Sequence, residues 1–269
     1  MKHVYVIAKN TIRAFLANRI IYLLFFLMLV VSSFVGDDFA DAMDGISSSE
    51  EYSVFLTQVR VLTTSLGLWT DFMTIGVIIF ASGMVQKEKN ARTIVGVLAK
   101  PVARWQLLVG KWCGLQLFFA AFFLTGFAMA GSFMIYWNLS VSPLFWMGGL
   151  QKLMLIFGYS TVAFVLGLFW SRIPSSGVAI ALYIAGPFQH IFLYERMMES
   201  EYAVFQGLGA AIYYCSPALL KQSLIQDGIL QNILHPEFTL FWNVIAENFL
   251  YSGVLLLLGV LLYQHRDLI

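Results

Sequence analysis

The sequence predicts an all-α integral membrane protein with six transmembrane helices that follow an N-terminal amphipathic interfacial helix. Apolar residues make up 59% of the 269 residues, and the mean hydropathy is +0.78. Soluble domains are closer to half apolar, so the bilayer must solvate much of this surface. The apolar residues also cluster into stretches of the length that crosses a membrane, about 20 residues. Most tryptophans fall near the ends of these stretches, which is typical of the aromatic belts at membrane surfaces.

The first predicted element is an amphipathic helix over residues 1–17. Its apolar stripe recurs at helical spacing and comprises Val4, Ile7, Ala8, Ile12 and Phe15. Its cations fall off that stripe and comprise Lys2, Lys9 and Arg13. Because the helix directly precedes a span, we expect it to lie in the plane of the membrane surface.

Six apolar stretches follow within a single transmembrane domain, residues 1–269. The predicted spans lie near residues 18–36, 63–85, 110–136, 148–170, 176–194 and 241–263. The fifth is short and contains Gly186-Pro187, which predicts a kink or a broken helix. The long connection 195–240 has an apolar middle that Gly and Pro interrupt, which favours short re-entrant or interfacial helices over a further crossing.

The distribution of positive charge predicts the orientation. With both termini in the cytoplasm, twelve of the sixteen Lys and Arg residues fall on the cytoplasmic side, as the positive-inside rule requires. The acidic run 36–51 then lies outside.

One polar segment stands out in a chain that is only 12% charged: residues 86–111 hold six of its sixteen basic residues. We call residues 86–110 the basic segment. Asn90 or an adjacent polar group can cap a short helix there, and Pro101 ends it because proline disfavours a helical conformation at Lys100. Such a helix suits docking of a soluble partner through Arg92, Thr93, Pro101 and Arg104. For Lys87, Lys89 and Lys111, which flank the spans, anchoring to lipid head groups is the simpler interpretation.

Familiar catalytic patterns are missing from the sequence. The string WQLLVGKW (105–112) lacks both the first glycine and the hydroxyl residue of a phosphate-binding loop. We find no H-E-x-x-H pair, no nucleophile elbow and no Cys/His zinc pattern. We therefore expect no catalytic residue, metal or cofactor in this chain. The net charge of +1 also argues against a nucleic-acid partner.

The basic segment, together with Lys111 directly after it, carries a recognisable order of residues: Glu88, Arg92-Thr93-Ile94, Leu98, Lys100-Pro101, Arg104, Leu108 and Gly110-Lys111. This order resembles the cytoplasmic signature of type-2 ABC transporter permeases. Ala103 departs from it, because a small hydroxyl residue usually stands before the arginine. The six-span layout, the N-terminal helix and the terminal Tyr263, Arg266 and Asp267 are similar to that family as well.

The resemblance implies a permease subunit in a bacterial inner membrane. ATP and Mg would bind to two separate ABC ATPase subunits, and a second permease copy or a homologue would complete the path. Membrane lipid would surround the protein, and the resemblance also allows an extracytoplasmic accessory protein as a further partner. The resemblance implies that the ATPase-coupling residues are Glu88, Arg92, Thr93, Lys100, Pro101 and Arg104.

Several polar residues fall within the outer half of the predicted spans: Asp71, Gln189, His190, Asn243 and Glu247. Ionisable groups at membrane depth are costly and are often functional. They are candidates for a translocation path, or they pair with one another, as Asp71 would with Lys152. If these residues lie close to the head groups, the free-energy cost of placing them there is small, and no functional role is needed to explain them.

The expected function is export by alternating access, driven by the ATPase partner. A membrane scaffold or sensor that an ATPase drives without transport is the alternative, and an intramembrane enzyme is a third. The substrate is not predictable from these residues.

Overall fold

The computed structural model describes residues 2–19, 21–23, 26, 30, 69–86, 103–136, 143–188, 197, 199–200, 202–207 and 238–264. The regular structure in these ranges is helical. The long helices are α1 (Lys2–Leu16), α2 (Trp69–Gln86), α3 (Arg104–Tyr136), α4 (Pro143–Phe169), α5 (Arg172–Phe188) and α6 (Phe238–Gln264). Within these ranges, α2, α3, α4 and α6 are long and apolar enough to cross a membrane, whereas α5 is apolar but shorter. The all-α membrane class is confirmed.

The helix bounds differ from the predicted spans where polar residues extend a helix past its apolar stretch. Helix α3 begins at Arg104 rather than near residue 110. Ala103 stands at its N-cap, and the Ala103 amide donates to Gln106 Oε1 at 3.4 Å. This contact is half of a capping box, so the helix starts before its apolar part. Helix α5 ends at Phe188, directly after Pro187.

Helix α1 packs lengthwise on α3. A Cβ atom at Gly110 would lie 2.8 Å from Ile7 Cβ, and one at Gly114 would lie 2.8 Å from the carbonyl oxygen of Ala8. Further along, the ring of Phe15 stacks on Phe118 with centroids 5.2 Å apart. The two glycines, one turn apart, thus form a groove that admits a second helix.

These contacts differ from the expected interfacial orientation of residues 1–17. The predicted apolar stripe does face inward, but α3 covers part of it. The contacts advance along α1 and α3 in the same direction, so the two helices run roughly parallel. Helix α1 therefore follows α3 instead of crossing it. The glycine groove explains the difference, since it offers the stripe a protein surface in place of lipid.

Helix α4 occupies the centre and packs against α3, α5 and α6. It also meets α2 closely, since a Cβ atom at Gly167 would lie 2.4 Å from the carbonyl oxygen of Ser82. Aromatic rings fill the space between α1, α2 and α3, where Phe15 contacts both Phe80 and Phe119 edge-on. The helices therefore share one apolar core.

Candidate functional site

The ends of α2, α3, α4, α5 and α6 meet at one end of the bundle, which we call the near end. Gln86 ends α2, Arg104 begins α3, Trp170 follows α4, and Gln264 ends α6. Residues 87–102, which connect Gln86 to the start of α3, lie outside the described residues. Both ends of that connection therefore lie at the near end.

Two hydrogen bonds connect these helix ends. Gln86 Nε2 donates to the carbonyl oxygen of Trp170 at 2.6 Å. Arg104 Nη1 donates to the carbonyl oxygen of Gln264 at 3.4 Å. The last carbonyls of a helix lack intrahelical donors and carry partial negative charge, so both amide and guanidinium groups suit these positions. Each flank of the basic segment is thus bonded to a different part of the bundle.

Arg104 is the member of the predicted coupling set that the structure describes. It is half-buried, and its guanidinium contacts α6 within the chain. The other predicted coupling residues lie outside the described residues: Glu88, Arg92, Thr93, Lys100 and Pro101. The sequence did not predict the contact with Gln264, which gives Arg104 a structural role besides any docking role.

The sequence suggested that Lys111 anchors to lipid head groups, but the structure buries its side chain. It lies two turns inside α3 and is only 5% exposed. Leu108 and Leu115, which share its helix face at spacings of three and four residues, are fully buried. The early start of α3 explains the error, because it moves Lys111 from the edge of a span into the packed bundle.

A polar cluster lies in the half of the bundle away from the near end, which we call the far half. The hydroxyl of Tyr183 on α5 donates to Asp71 Oδ1 on α2. The ring of Tyr159 on α4 packs edge-on against Tyr183 with centroids 4.9 Å apart. The carboxylate of Asp71 also lies within electrostatic range of the ammonium of Lys152. The pairing of Asp71 with Lys152 stays a prediction, whereas Tyr183 is a hydrogen-bond partner of Asp71 that the sequence did not suggest.

The remaining predicted path residues are more dispersed. Asn243 and Glu247 lie on an exposed face of α6. Asn248, the next residue, turns into the bundle and is 1% exposed. Gln189 and His190 lie outside the described residues. The structure thus joins Asp71 to α4 and α5 but leaves Asn243 and Glu247 on a surface of the protomer.

The sequence did not predict a buried polar network that lies between α3 and α4. Gln116, only 3% exposed, donates through Nε2 to Ser160 Oγ at 2.8 Å and accepts from that hydroxyl at 3.0 Å. Trp112 Nε1 donates to Thr161 Oγ1 at 3.0 Å. A glutamine in an apolar run and an adjacent Ser-Thr pair were the available signals. Neither indicated which helix would supply the partner.

Comparison with known protein families matches residues 5–268 to the ABC-2 family transporter proteins. No curated protein matches the chain. The family match covers nearly the whole chain, and the four apolar helices long enough to span a bilayer agree with a multi-pass membrane protein. Such permeases act as membrane transport components alongside ATPase subunits and are not themselves catalytic. The chain therefore belongs to the ABC-2 family of transporter proteins.

Proposed function

We propose that the chain is the permease subunit of a bacterial ABC exporter and forms part of its translocation path. Six spans would cross the inner membrane, with α2, α3, α4, α5 and α6 joined by a first span near residues 18–36. The family match supports the membrane transport role. Export, ATPase coupling and the number of spans form part of the proposal.

The observation that carries the proposal is the attachment of both flanks of the basic segment. Gln86 joins α2 to the turn between α4 and α5, and Arg104 joins α3 to the end of α6. A displacement of the segment would therefore act on five helices together. This is the arrangement that force transmission from a soluble ATPase requires.

The distribution of charge supports a cytoplasmic position for the near end. Arg104 and Arg172 begin helices there, and the basic segment adds Lys87, Lys89, Arg92 and Lys100. Residues 2–30 contain basic residues and no Asp or Glu. Positive charge of this density is retained on the cytoplasmic side, where an ATPase has access to ATP.

One copy supplies a single basic segment, so we propose that two permease copies, or one copy and a homologue, pair with two ATPase subunits. ATP and Mg would bind to those subunits. Nucleotide-driven closure of the ATPases would move the two segments and rock the bundles between inward-open and outward-open states. Asp71 and the other far-half polar residues would line the path, and an extracytoplasmic accessory protein could dock outside.

The test is vectorial transport in proteoliposomes that contain the permease and its cognate ATPase. The proposal predicts ATP-dependent accumulation of substrate on the side opposite the ATPase. ATP turnover and conformational change without net movement of any candidate substrate would favour the scaffold or sensor alternative. Catalysis by the purified chain without nucleotide would favour an intramembrane enzyme.

A further inference from the structure

Asp71 presents a carboxylate on the surface of the protomer at membrane depth. It lies fifteen residues before Gln86 on α2, which places it about 22 Å along the helix axis from the near end. Its side chain is exposed, although a carboxylate facing lipid at this depth is costly. The face of α2 that carries Asp71 is therefore better matched to a hydrated path than to acyl chains.

The surroundings of Asp71 combine one negative charge with aromatic surface. Tyr183 holds the carboxylate through its hydroxyl, and Tyr159 supports the ring of Tyr183. Phe72, the next residue on α2, is 45% exposed. Aromatic faces attract cations, and an exposed carboxylate adds a full opposite charge.

Lys152, the cation that the sequence suggests as a partner of Asp71, is less exposed than the Asp71 carboxylate. A ligand that approaches from the path thus meets the carboxylate before the ammonium. Glu247 adds a second exposed carboxylate in the far half, on α6.

We propose that Asp71, with Tyr183 and Phe72, forms a recognition site for organic cations that carry an apolar body. A hard divalent metal would need six or more oxygen ligands or retained waters, and the described part of the chain holds no group of three or more His, Cys, Asp or Glu side chains that could supply them. A bulky organic cation instead fits both the charge and the apolar surface. The assignment rests on the proposed function, because it takes this face of α2 to line the translocation path.

Two hydrophobic ions of nearly equal shape and opposite charge provide the test. Binding of tetraphenylphosphonium and tetraphenylborate is measured to the full chain in nanodiscs of neutral lipid, without nucleotide. We expect saturable binding of the cation in clear preference to the anion. Asp71→Asn keeps the shape and an acceptor for Tyr183 but removes the charge, and it should weaken cation binding on the order of tenfold or more.

The controls isolate the charge. Asp71→Glu should retain most of the affinity, and Glu199→Gln, which removes an exposed carboxylate elsewhere, should leave binding unchanged. Elution volume and thermal midpoint verify that each variant is folded. Equal binding of both ions, no saturable cation binding, or unchanged affinity in Asp71→Asn would overturn the assignment.

The results distinguish a failure of the cation site from a failure of the proposed function. If the cation fails to bind while nucleotide still drives a conformational change in the complex with the ATPase, the cation site is wrong and the coupling proposal stands. If the cation binds through Asp71 but nucleotide moves nothing, the site stands and the coupling proposal is wrong.

Discussion

The guanidinium of Arg104 donates a hydrogen bond to the carbonyl oxygen of Gln264, so the first residue of α3 is bonded to the last residue of α6. Arg104 also begins α3 at the near end, directly after the part of the basic segment that lies outside the described residues. A cation at the C-terminal end of a helix complements the partial negative charge of its last carbonyls. The residue that resembled a docking contact therefore also fixes the position of the final helix.

Arg104→Gln should weaken the attachment of α6, because the neutral side chain is shorter and loses the charge. We expect a loss of about 0.5–1.5 kcal/mol in stability, the usual value of one hydrogen bond. Thermal unfolding in detergent measures it. Gln264→Ala is the matched control, since the acceptor is a backbone carbonyl that the substitution keeps. Equal losses in both variants would show that the Arg104–Gln264 bond contributes nothing.

Gly114→Ala should displace α1 from α3. The new Cβ atom would lie 2.8 Å from the backbone oxygen of Ala8, which cannot move aside without moving α1. Overpacking of this kind costs about 1–3 kcal/mol. The readout is the thermal midpoint together with protease cleavage near residue 16. Gly148→Ala, where nothing lies within 4 Å of the new atom, should leave both measurements unchanged.

Gln116→Leu should loosen the contact between α3 and α4. The substitution keeps the approximate volume but removes both hydrogen bonds to Ser160. Interhelical hydrogen bonds in membranes contribute about 0.6–2 kcal/mol, so a comparable loss of stability is expected in bicelles. Ser132→Ala is the control, because that exposed hydroxyl bonds only within its own helix, to Ala128. A Gln116→Leu protein as stable as wild type would show that the network has no net stabilising effect.

Gly167→Ala and Gly83→Ala should differ sharply, although both glycines lie at contacts between α2 and another helix. At Gly167 the new Cβ atom meets the backbone oxygen of Ser82 at 2.4 Å, so α2 and α4 must separate. At Gly83 it meets the side chain of Arg172, an exposed and flexible group that can rotate away. We expect poor folding for Gly167→Ala and near-normal yield and thermal midpoint for Gly83→Ala. Similar behaviour of the two variants would contradict the packing described for α2 and α4.

The apolar stretches predicted the existence of α2, α3, α4, α5 and α6, because membrane length and hydropathy depend on local composition. The start of α3 was harder to predict from the sequence, because the capping contact of Gln106 extends the helix into polar residues. The error at Lys111 followed directly from that boundary. Helix bounds near charged residues therefore need capping chemistry as well as hydropathy.

The candidate site was predictable only where one residue was unusual by itself. Asp71 stood out as a carboxylate in an apolar span, but Tyr183, 112 positions away, did not. The partners of Gln116 and Arg104 depend equally on which helices are neighbours and how each is rotated. Neither the neighbours of a helix nor its rotation can be read from the pattern of one sequence. The hydrogen bonds at the near end therefore emerged only from the structure.

The most direct test of the central claim separates ATPase docking from force transmission. Spin labels at Ile184, exposed on α5, report the distance between two permease copies in the complex with the cognate ATPase, after replacement of Cys113 and Cys215. Nucleotide should change that distance in the wild type. Arg92→Glu or Pro101→Gly should release the ATPase, whereas Gln86→Ala, which removes the bond to Trp170, should keep it bound and hydrolysing ATP while the distance no longer changes. An unaltered distance change in Gln86→Ala, or ATPase binding and turnover unaffected by Arg92→Glu and Pro101→Gly, would contradict this mechanism.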